Sequence, residues 1–335
     1  MILPPNHLAL KGSLRPPVMA IGDSMFNGVR SLTIHDELAA VSPVQQFAEA
    51  VGLPLARPVY PRVVLFDLEE MAREGITSLF TLQSSVMKNA KAWLSAKPKA
   101  KPLFHDNIAC AGADWSDLFD RRGGDARAEA LAAHAQLQAS DNFELGAAAR
   151  LWFSINDAFL LDPNGGTAFA ETAQLSQLDQ VASRLPERLL INIGSNEGLF
   201  RFGMLGAYDN TDLDFATCAG AREIVRQARR LGQFLAAHVR NDLKFVYFNT
   251  LIRPRAVPNL APYQDQDFMA NATRKALAGK YYSEYSTKVA LRAPITPKAM
   301  KAYDQVIKTA NDEAAKAIEE AGLPRSLADR LYFGQ

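Results

Sequence analysis

The chain contains few cysteines. Only Cys110 and Cys218 occur among its 335 residues, too few for a disulfide framework or a cysteine-rich zinc site. Residues 1–17 contain four prolines and no apolar stretch typical of a signal peptide. We therefore expect a cytoplasmic protein.

An excess of charge of either sign is also missing. The 37 basic residues against 36 acidic residues leave a formal net charge of +1, so no overall field attracts nucleic acid or an anionic membrane. No apolar run approaches the roughly 18 residues that a membrane-spanning helix needs. The sequence predicts neither a nucleic-acid partner nor a transmembrane segment.

The common cofactor motifs are absent. No Gly-x-Gly-x-x-Gly or Walker-type loop occurs, which argues against a nucleotide cofactor. No histidine pair or carboxylate cluster has metal-ligand spacing. The Gly-x-Ser-x-Gly elbow is missing as well, because Phe26 replaces its second glycine. We expect a protein that uses no cofactor and no metal.

What the sequence does contain is a series of apolar runs that end in small or polar residues. Such runs are typical of buried parallel strands, whose carboxyl ends form the functional edge of an open α/β sheet. Amphipathic patterns between them predict crossover helices that cover the sheet. The runs are Val18–Ile21, Leu103–Phe104 continuing to Asn107–Ala113, Leu189–Ile193 and Phe245–Phe248, and Leu331–Phe333 begins one more strand.

The predicted organisation is a single α/β domain over residues 1–335 with two insertions. The stretches near 30–101 and 114–172 do not fit a minimal α/β core, and we interpret them as insertions that shape a pocket. The first contains Arg62–Phe66, a predicted hairpin or edge strand. The predicted helices are Ala126–Ala139, Leu175–Leu185, Ala219–His238 and Pro297–Glu320.

Three strand ends carry the groups that acyl transfer by a serine needs. Ser24 offers a hydroxyl nucleophile, and the N–H groups of Ser24 and Gly112 offer donors to a developing oxyanion. Asn196 adds a side-chain amide that donates to the same oxygen. Taken alone, Gly22-Asp23-Ser24 is also compatible with an ordinary turn or helix cap, and Asp23 is expected to fix the turn rather than titrate.

These residues resemble the first three sequence blocks of the SGNH (GDSL-type) hydrolase family. The resemblance implies a three-layer α/β/α, flavodoxin-like fold and hydrolysis of esters, lipids or acylated sugars. It assigns the nucleophile to Ser24 and the oxyanion donors to Ser24, Gly112 and Asn196. The matching blocks are Gly22-Asp23-Ser24, Asn107-Ile108-Ala109 with Gly112, and Gly194-Ser195-Asn196, followed by a loop from Asn249 to Pro254.

The chain departs from that family at the general base. The family places its catalytic Asp and His three residues apart after the fifth strand, whereas no histidine follows His238 here. We expect either a C-terminal segment beyond Gln335 that carries them, which is preferred, or a member without the usual base. Among the other histidines, His35 is kept as a substitute base. His105 is expected to have a hydrogen-bonded structural role, and His134 to lie on a helix surface.

The predicted function is therefore ester hydrolysis by a serine nucleophile, with a small-molecule ester, lipid or acylated sugar as substrate. The alternative is a binding module that kept the SGNH fold and lost the base. Trp115 and Phe119, beside Gly112, either line an acyl or sugar pocket or pack in the core. Nothing in the sequence names a particular substrate.

Overall fold

The computed structural model describes ten α-helices and four strands within the residues it covers. The described residues are 15–30, 33–67, 79–96, 102–140, 143–165, 170–197, 202, 208–238, 243–249, 297–323 and 331–334. The strands are β1 Met19–Gly22, β2 Arg188–Asn192, β3 Phe245–Asn249 and β4 Leu331–Gly334. The helices are α1 Ser24–Asn27, α2 Asp36–Ala40, α3 Pro43–Ala50, α4 Leu79–Leu94, α5 Asp117–Asp120, α6 Gly123–Ala139, α7 Leu145–Leu161, α8 Gln177–Arg184, α9 Ala219–His238 and α10 Pro297–Glu319.

The strands form one parallel sheet in the order β1-β2-β3-β4. β1 and β2 pair in register, from Met19 opposite Leu189 to Gly22 opposite Asn192. The predicted α/β class with a parallel sheet is confirmed, and each strand coincides with a predicted apolar run. The three-layer, flavodoxin-like arrangement of the helices stays a prediction.

The close approach of β1 and β2 requires glycine at the end of β1. Gly22 has a φ of +126°, and a Cβ placed on it would lie 1.7 Å from the carbonyl oxygen of Asn192. The next residue, Asp23, donates its N–H to that same oxygen at 2.8 Å. The turn that follows β1 is therefore held directly against the end of β2.

The second predicted run forms a single bridge instead of a regular strand. Asn107 pairs in parallel with Ala20, and the N–H of Cys110 donates to the carbonyl of Gly22 at 2.8 Å. The pairing then stops because Gly112, with a φ of +84°, turns the chain away. The prediction of a regular strand here is wrong, although the segment does lie beside β1.

The predicted hairpin or edge strand at residues 62–66 is also wrong, because this segment bends. Side chains of α4 bind its carbonyl groups: Trp93 Nε1 donates to Val63 at 3.0 Å, and Asn89 Nδ2 donates to Leu65 at 2.7 Å. Donors from a helix thus take the place of a strand partner.

The helix predictions agree with the structure to within a few residues at each end. The Ala-rich helix is α6, which packs against α7 within the second predicted insertion. The predicted helix at Leu175–Leu185 is α8, which begins at a capping box formed by Ser176 and Asp179. α9 has the predicted bounds and packs against α10.

Contacts divide the chain into two compact units. The first contains residues 1–192 and 239–248, and the second contains residues 193–238 and 249–335. In each unit, apolar residues of helices and strands form buried clusters. One cluster of the first unit contains Val18, Ala20, Phe26, Val44, Ala48, Ala109 and Leu190, and one of the second contains Cys218, Ala221, Val306 and Ala310.

A buried ion pair fixes the chain just before the segment that runs beside β1. Arg184, the last residue of α8, pairs with Asp106, and both side chains are buried. Asp106 Oδ2 also accepts the N–H of Ala56 at 2.7 Å. Burial lowers the pKa of Arg184, although the charge of Asp106 and its hydrogen bond act in the opposite direction.

Candidate functional site

The predicted nucleophile lies at the carboxyl end of β1, in a turn built around Asp23. Asp23 is fully buried and caps α1, with its Oδ1 accepting the N–H of Met25 at 3.1 Å. The same oxygen accepts Nδ2 of Asn192 at 2.6 Å, at the end of β2. Asp23 therefore holds the turn in place, as expected from the sequence.

Ser24 is the first residue of α1 and is half-buried. An α-helix leaves its first N–H groups without partners inside the helix. Within the described part of the chain, neither Oγ nor N–H of Ser24 forms a hydrogen bond. The hydroxyl is therefore not committed to a structural contact among these residues.

Gly112 is exposed at the turn that ends the segment beside β1. Its backbone is in the left-handed region, with a φ of +84°. A Cβ built on Gly112 would lie 2.7 Å from Cε1 of Phe153, so only glycine fits here without a shift of the ring or the turn. No acceptor among the described residues takes the N–H of Gly112. This N–H is therefore available to a ligand.

Three hydrogen bonds hold the two turns side by side. The carbonyl of Gly22 accepts the N–H of Cys110 at 2.8 Å, and Ser24 and Gly112 each follow this bonded pair by two residues. On α1, the Asn27 side chain donates to the carbonyl of Ala109 at 2.8 Å. In return, the Asn107 side chain donates to the carbonyl of Phe26, also at 2.8 Å. The structure thus brings Ser24 and Gly112 to the same edge of the sheet.

The third predicted site residue, Asn196, lies in the second unit. It is half-buried in a short 3₁₀ helix, Ser195–Glu197, which follows β2. Its assignment as an oxyanion donor stays a prediction.

A cavity of about 100 Å³ lies within the second unit, where α9 begins. One wall is formed by Phe202 and Tyr303, whose rings stack with centroids 3.8 Å apart and planes inclined by 6°. Glu197 and Gly220 also line it. The cavity combines aromatic walls with backbone groups of a helix start.

Comparison with known proteins finds no family model, no curated protein and no solved structure that matches this chain. The resemblance to the SGNH hydrolases therefore depends on the motifs and on the local geometry described above.

Two further observations concern the described residues as a whole. Their helices are all too short or too polar to cross a bilayer. They include no group of three or more His, Cys, Asp or Glu side chains arranged to hold a metal ion.

The histidines occupy very different environments. His35 is quarter-exposed, and its Nε2 lies 3.8 Å from Oδ2 of Asp67. His105 is buried beside Phe159, and neither ring nitrogen has a hydrogen-bond partner among the described residues. Burial lowers the pKa of His105 to about 3, so its ring is neutral. The expectation of a hydrogen-bonded role for His105 is wrong, because the buried ring packs beside Phe159 and neither nitrogen has a partner among the described residues.

Two of the remaining histidines lie on helices. His134 lies on α6, where burial lowers its pKa, and it is half-buried. His238 is the last residue of α9, as predicted, and its ring contacts Phe234. His7 lies outside the described residues.

Trp115 and Phe119 were predicted either to line a pocket or to pack in the core. The structure decides this for Trp115, which is 1% exposed and packs against the ring of Phe248 at 5.5 Å between centroids. Trp115 is therefore a core residue, whereas Phe119 is half-buried.

Sequence reasoning missed a buried polar chain behind the Ser24 turn. Asn27 Nδ2 lies 3.5 Å from the Tyr60 hydroxyl, which donates to Oδ1 of Asn156 at 2.8 Å. Burial raises the pKa of Tyr60, so the hydroxyl keeps its proton. No local signal marks these residues, because they are 33 and 96 positions apart in the sequence.

A buried carboxylate, that of Asp157, lies next to Cys110 in the segment beside β1. Burial raises the pKa of Asp157 to about 7, although Arg121 opposes this through its charge and a 2.8 Å bond to Oδ2. Burial also raises the pKa of the Cys110 thiol, and the charge of Asp157 adds to the effect. Cys110 therefore stays protonated and is not a second nucleophile.

Proposed function

We propose that this protein is a serine hydrolase that acts on carboxylic esters, with Ser24 as its nucleophile. One observation carries the proposal: the N–H groups of Ser24 and Gly112 lack partners among the described residues, at one sheet edge, beside a hydroxyl that is also unbonded. Paired backbone donors next to a nucleophile are the arrangement that stabilises a tetrahedral oxyanion.

The proposed reaction begins with attack of Ser24 Oγ on the ester carbonyl carbon. A bond forms between Oγ and carbon, and the carbonyl electron pair moves to oxygen, where the N–H groups of Ser24 and Gly112 donate to it. A general base takes the proton from Oγ and passes it to the alcohol oxygen as the carbon–oxygen bond to the alcohol breaks and the carbonyl re-forms. Water then hydrolyses the acyl-enzyme by the same route. Asn196 is the third donor suggested by the sequence.

The surface next to Ser24 supports an acyl group as the ligand. Met25, the neighbouring residue, is 44% exposed and presents an apolar side chain beside the hydroxyl. An apolar surface beside the nucleophile favours the acyl chain of an ester over a fully polar substrate. This supports the substrate class of small esters, lipids or acylated sugars.

A fluorophosphonate probe tests the proposal, because it labels serines whose hydroxyl is activated. We expect covalent labelling of the purified full chain at Ser24, located by peptide mass spectrometry, together with hydrolysis of a short p-nitrophenyl ester. Ser24→Ala should abolish both. It should leave the unfolding midpoint nearly unchanged, because Oγ of Ser24 has no partner among the described residues.

Ser95→Ala is a matched control. Ser95 is exposed, and its hydroxyl donates to the carbonyl of Lys91 at the end of α4, so its loss should change neither labelling nor hydrolysis. Absence of labelling in the wild-type chain, or labelling that persists in Ser24→Ala, contradicts the proposal. Ligand binding without any labelling would instead support the alternative of a binding module.

A further inference from the structure

We propose that Asp157 is a positioning residue that keeps the N–H of Gly112 at the sheet edge by binding both ends of the loop that carries it. This loop runs from Cys110 to Arg121, and we name it the donor loop. The proposal rests on the proposed function, because Asp157 affects the reaction only if Gly112 donates to the oxyanion. Three features carry it: the two contacts of Asp157, the internal hydrogen bonds of the loop, and the face of α7 that supports it.

The first end of the donor loop lies between the Ser24 turn and Asp157. The N–H of Cys110 donates to the carbonyl of Gly22 at 2.8 Å, which fixes the loop beside β1. The thiol of Cys110 lies next to the carboxyl group of Asp157, and both residues are buried. The chain is therefore held between β1 and α7 two residues before Gly112.

The other end of the donor loop is bound by the same carboxyl group. Nε of Arg121 donates to Oδ2 of Asp157 at 2.8 Å, and the two side chains are 15% and 7% exposed. The guanidinium of Arg121 also donates to the hydroxyl of Ser154 on α7 at 3.2 Å and to Glu129 on α6 at 2.6 Å. Arg121 is thus fixed to two helices, and Asp157 links it to the start of the loop.

Between its ends, the donor loop is held together by hydrogen bonds of its own. Oδ1 of Asp114 accepts the N–H of Asp117 at 3.1 Å, and Oδ2 of Asp117 accepts the N–H of Asp114 at 2.9 Å. The N–H of Ala113 donates to the carbonyl of Cys110 at 3.2 Å, across Gly112. Because a hydrogen-bonded segment transmits displacements along its length, a shift at either end of the loop reaches Gly112.

One face of α7 supports the donor loop. Phe153 and Asp157 are four residues apart on this helix and therefore lie on the same face. The ring of Phe153 packs against Gly112, since a Cβ built on that glycine would lie 2.7 Å from Cε1 of the ring. The ring limits how far Gly112 can move towards α7, and the carboxyl group of Asp157 keeps the two ends of the loop from moving away.

The neighbouring carboxylates of this region have different contacts. Glu129 accepts hydrogen bonds from Arg121 and from the hydroxyl of Ser154, at 2.6 and 3.1 Å, so it binds the second end of the donor loop. Asp117 is bonded to Asp114 within the loop. Among these described carboxylates, Asp157 alone contacts both ends, which makes it the residue that closes the loop.

The position of Gly112 matters because of the charge that develops in the reaction. Negative charge appears on the ester oxygen as Ser24 attacks, and a donor stabilises this charge only from hydrogen-bond distance. A displacement of about 1 Å can lower the rate of such a step by up to about 10²-fold. Loss of Asp157 should therefore slow the attack by Ser24 without weakening ground-state binding, since the oxyanion is absent from the ground state.

The test measures fluorophosphonate labelling of Ser24 over a range of probe concentrations, in the full chain at pH 8.5. At this pH the wild-type carboxyl group of Asp157 is mostly ionised, because its pKa is about 7. Asp157→Ala should lower the maximal labelling rate about 10-fold and leave the half-saturating probe concentration within about twofold of the wild type. A change in the half-saturating concentration alone would contradict the proposal.

A conservative variant gives an intermediate result. Asp157→Asn keeps an oxygen that accepts the bond from Arg121 but loses the charge that attracts the guanidinium. We expect its maximal labelling rate to fall by about threefold, between the wild type and Asp157→Ala. If Asp157→Ala does not fold, Asp157→Asn carries the same measurements, and a wild-type rate in that variant then overturns the proposal.

A double-mutant cycle shows whether Asp157 acts through Gly112. Gly112→Ala by itself displaces the donor, so adding Asp157→Ala or Asp157→Asn should lower the maximal labelling rate by less than about twofold further. A residue that acts only on the stability of the fold would give independent effects, and each second change would cost its full single-variant loss. Additive losses therefore exclude a positioning role for Asp157.

Asp162→Ala is the matched control. Asp162 directly follows α7 and is also buried, but its Oδ1 accepts the hydroxyl of Thr172 at 3.1 Å, outside the donor loop. Its loss should lower the free energy of unfolding and leave the labelling rate of the folded chain unchanged. Urea unfolding gives the folded fraction of every variant, and the labelling rates are compared per folded molecule.

The outcomes separate this proposal from the proposed function. If folded Asp157→Ala is labelled at Ser24 as fast as the wild type, Asp157 is not a positioning residue and the proposed function stands. If Ser24 is labelled in no form of the chain, the proposed function fails, and with it the role of Asp157.

Discussion

The side-chain amide of Gln177 binds both polar groups of the Gly22 residue. The N–H of Gly22 donates to Oε1 of Gln177 at 2.7 Å, and Nε2 of Gln177 donates to the carbonyl of Gly22 at 3.3 Å. Gln177 is completely buried at the first turn of α8. A side chain 155 residues away therefore acts as a strand partner for the last residue of β1, two positions before the proposed nucleophile.

This contact leads to the first prediction. Gln177→Leu has a similar volume but leaves the N–H of Gly22 buried without an acceptor, which should cost about 1–3 kcal/mol in the free energy of unfolding. Because Gly22 positions the turn, the labelling rate of Ser24 should fall as well. Urea unfolding and fluorophosphonate labelling measure the two effects.

Gln180→Leu is the control for that prediction. Gln180 is also buried on α8, but its Nε2 donates to the carbonyl of Leu161, at 2.9 Å, on another element. Its loss should lower stability while leaving the labelling rate of the remaining folded protein unchanged. Equal labelling rates in the two variants would contradict a positioning role for Gln177.

The second prediction concerns the close approach at the end of β1. Gly22→Ala places a methyl group 1.7 Å from the carbonyl oxygen of Asn192, and backbone has to move to relieve it. We expect a loss of more than about 4 kcal/mol in the free energy of unfolding, enough to prevent a stable fold. Gly52→Ala provides the comparison, since Gly52 also has a positive φ, +66°, but open space around it. That variant should lose only about 1 kcal/mol.

The third prediction tests Gly112 as a donor. Gly112→Ala pushes the turn away from the ring of Phe153 and moves the N–H of Gly112, so the labelling rate should fall by about 10²-fold. Adding Phe153→Ala removes the clash and should restore part of that rate. A single variant that labels as fast as the wild type would show that Gly112 is not an oxyanion donor.

The fourth prediction concerns the pH dependence of stability. Burial raises the pKa of Asp157 to about 7, so the folded state favours the protonated carboxyl. Its stabilising contribution is present at low pH and is lost as the pH rises through about 7, on the order of a few kcal/mol. Asp157→Asn does not titrate and should lose less stability than the wild type between pH 5 and 8.5.

Urea unfolding at several pH values measures this difference. Glu171→Gln changes an exposed carboxylate, and its free energy of unfolding should depend on pH as that of the wild type does. If the free energy of unfolding of Asp157→Asn changes with pH as steeply as that of the wild type, then Asp157 is ionised throughout this pH range.

Local patterns identified most of the regular elements. Leu189–Ile193 is apolar except for Asn192 and is followed by Gly194. β2 lies there because a buried parallel strand needs little beyond that composition. The three- and four-residue spacing of apolar residues placed α9 between Ala219 and His238, since one buried face is enough to define a helix. The apolar run at 62–66 predicted a strand that does not form, because its carbonyl groups bind side chains of α4 instead of a neighbouring strand.

The sequence by itself determined that Ser24 follows a buried strand and that one sheet edge collects Ser24 and Gly112. Those properties depend on local sterics and on apolar composition, which neighbouring residues specify. Only the tertiary structure decided that Asn27 and Asn107 lock the two turns together, that Gln177 completes β1, and that Asp67 faces His35. These contacts join residues far apart in the chain, and no local pattern encodes a distance between them.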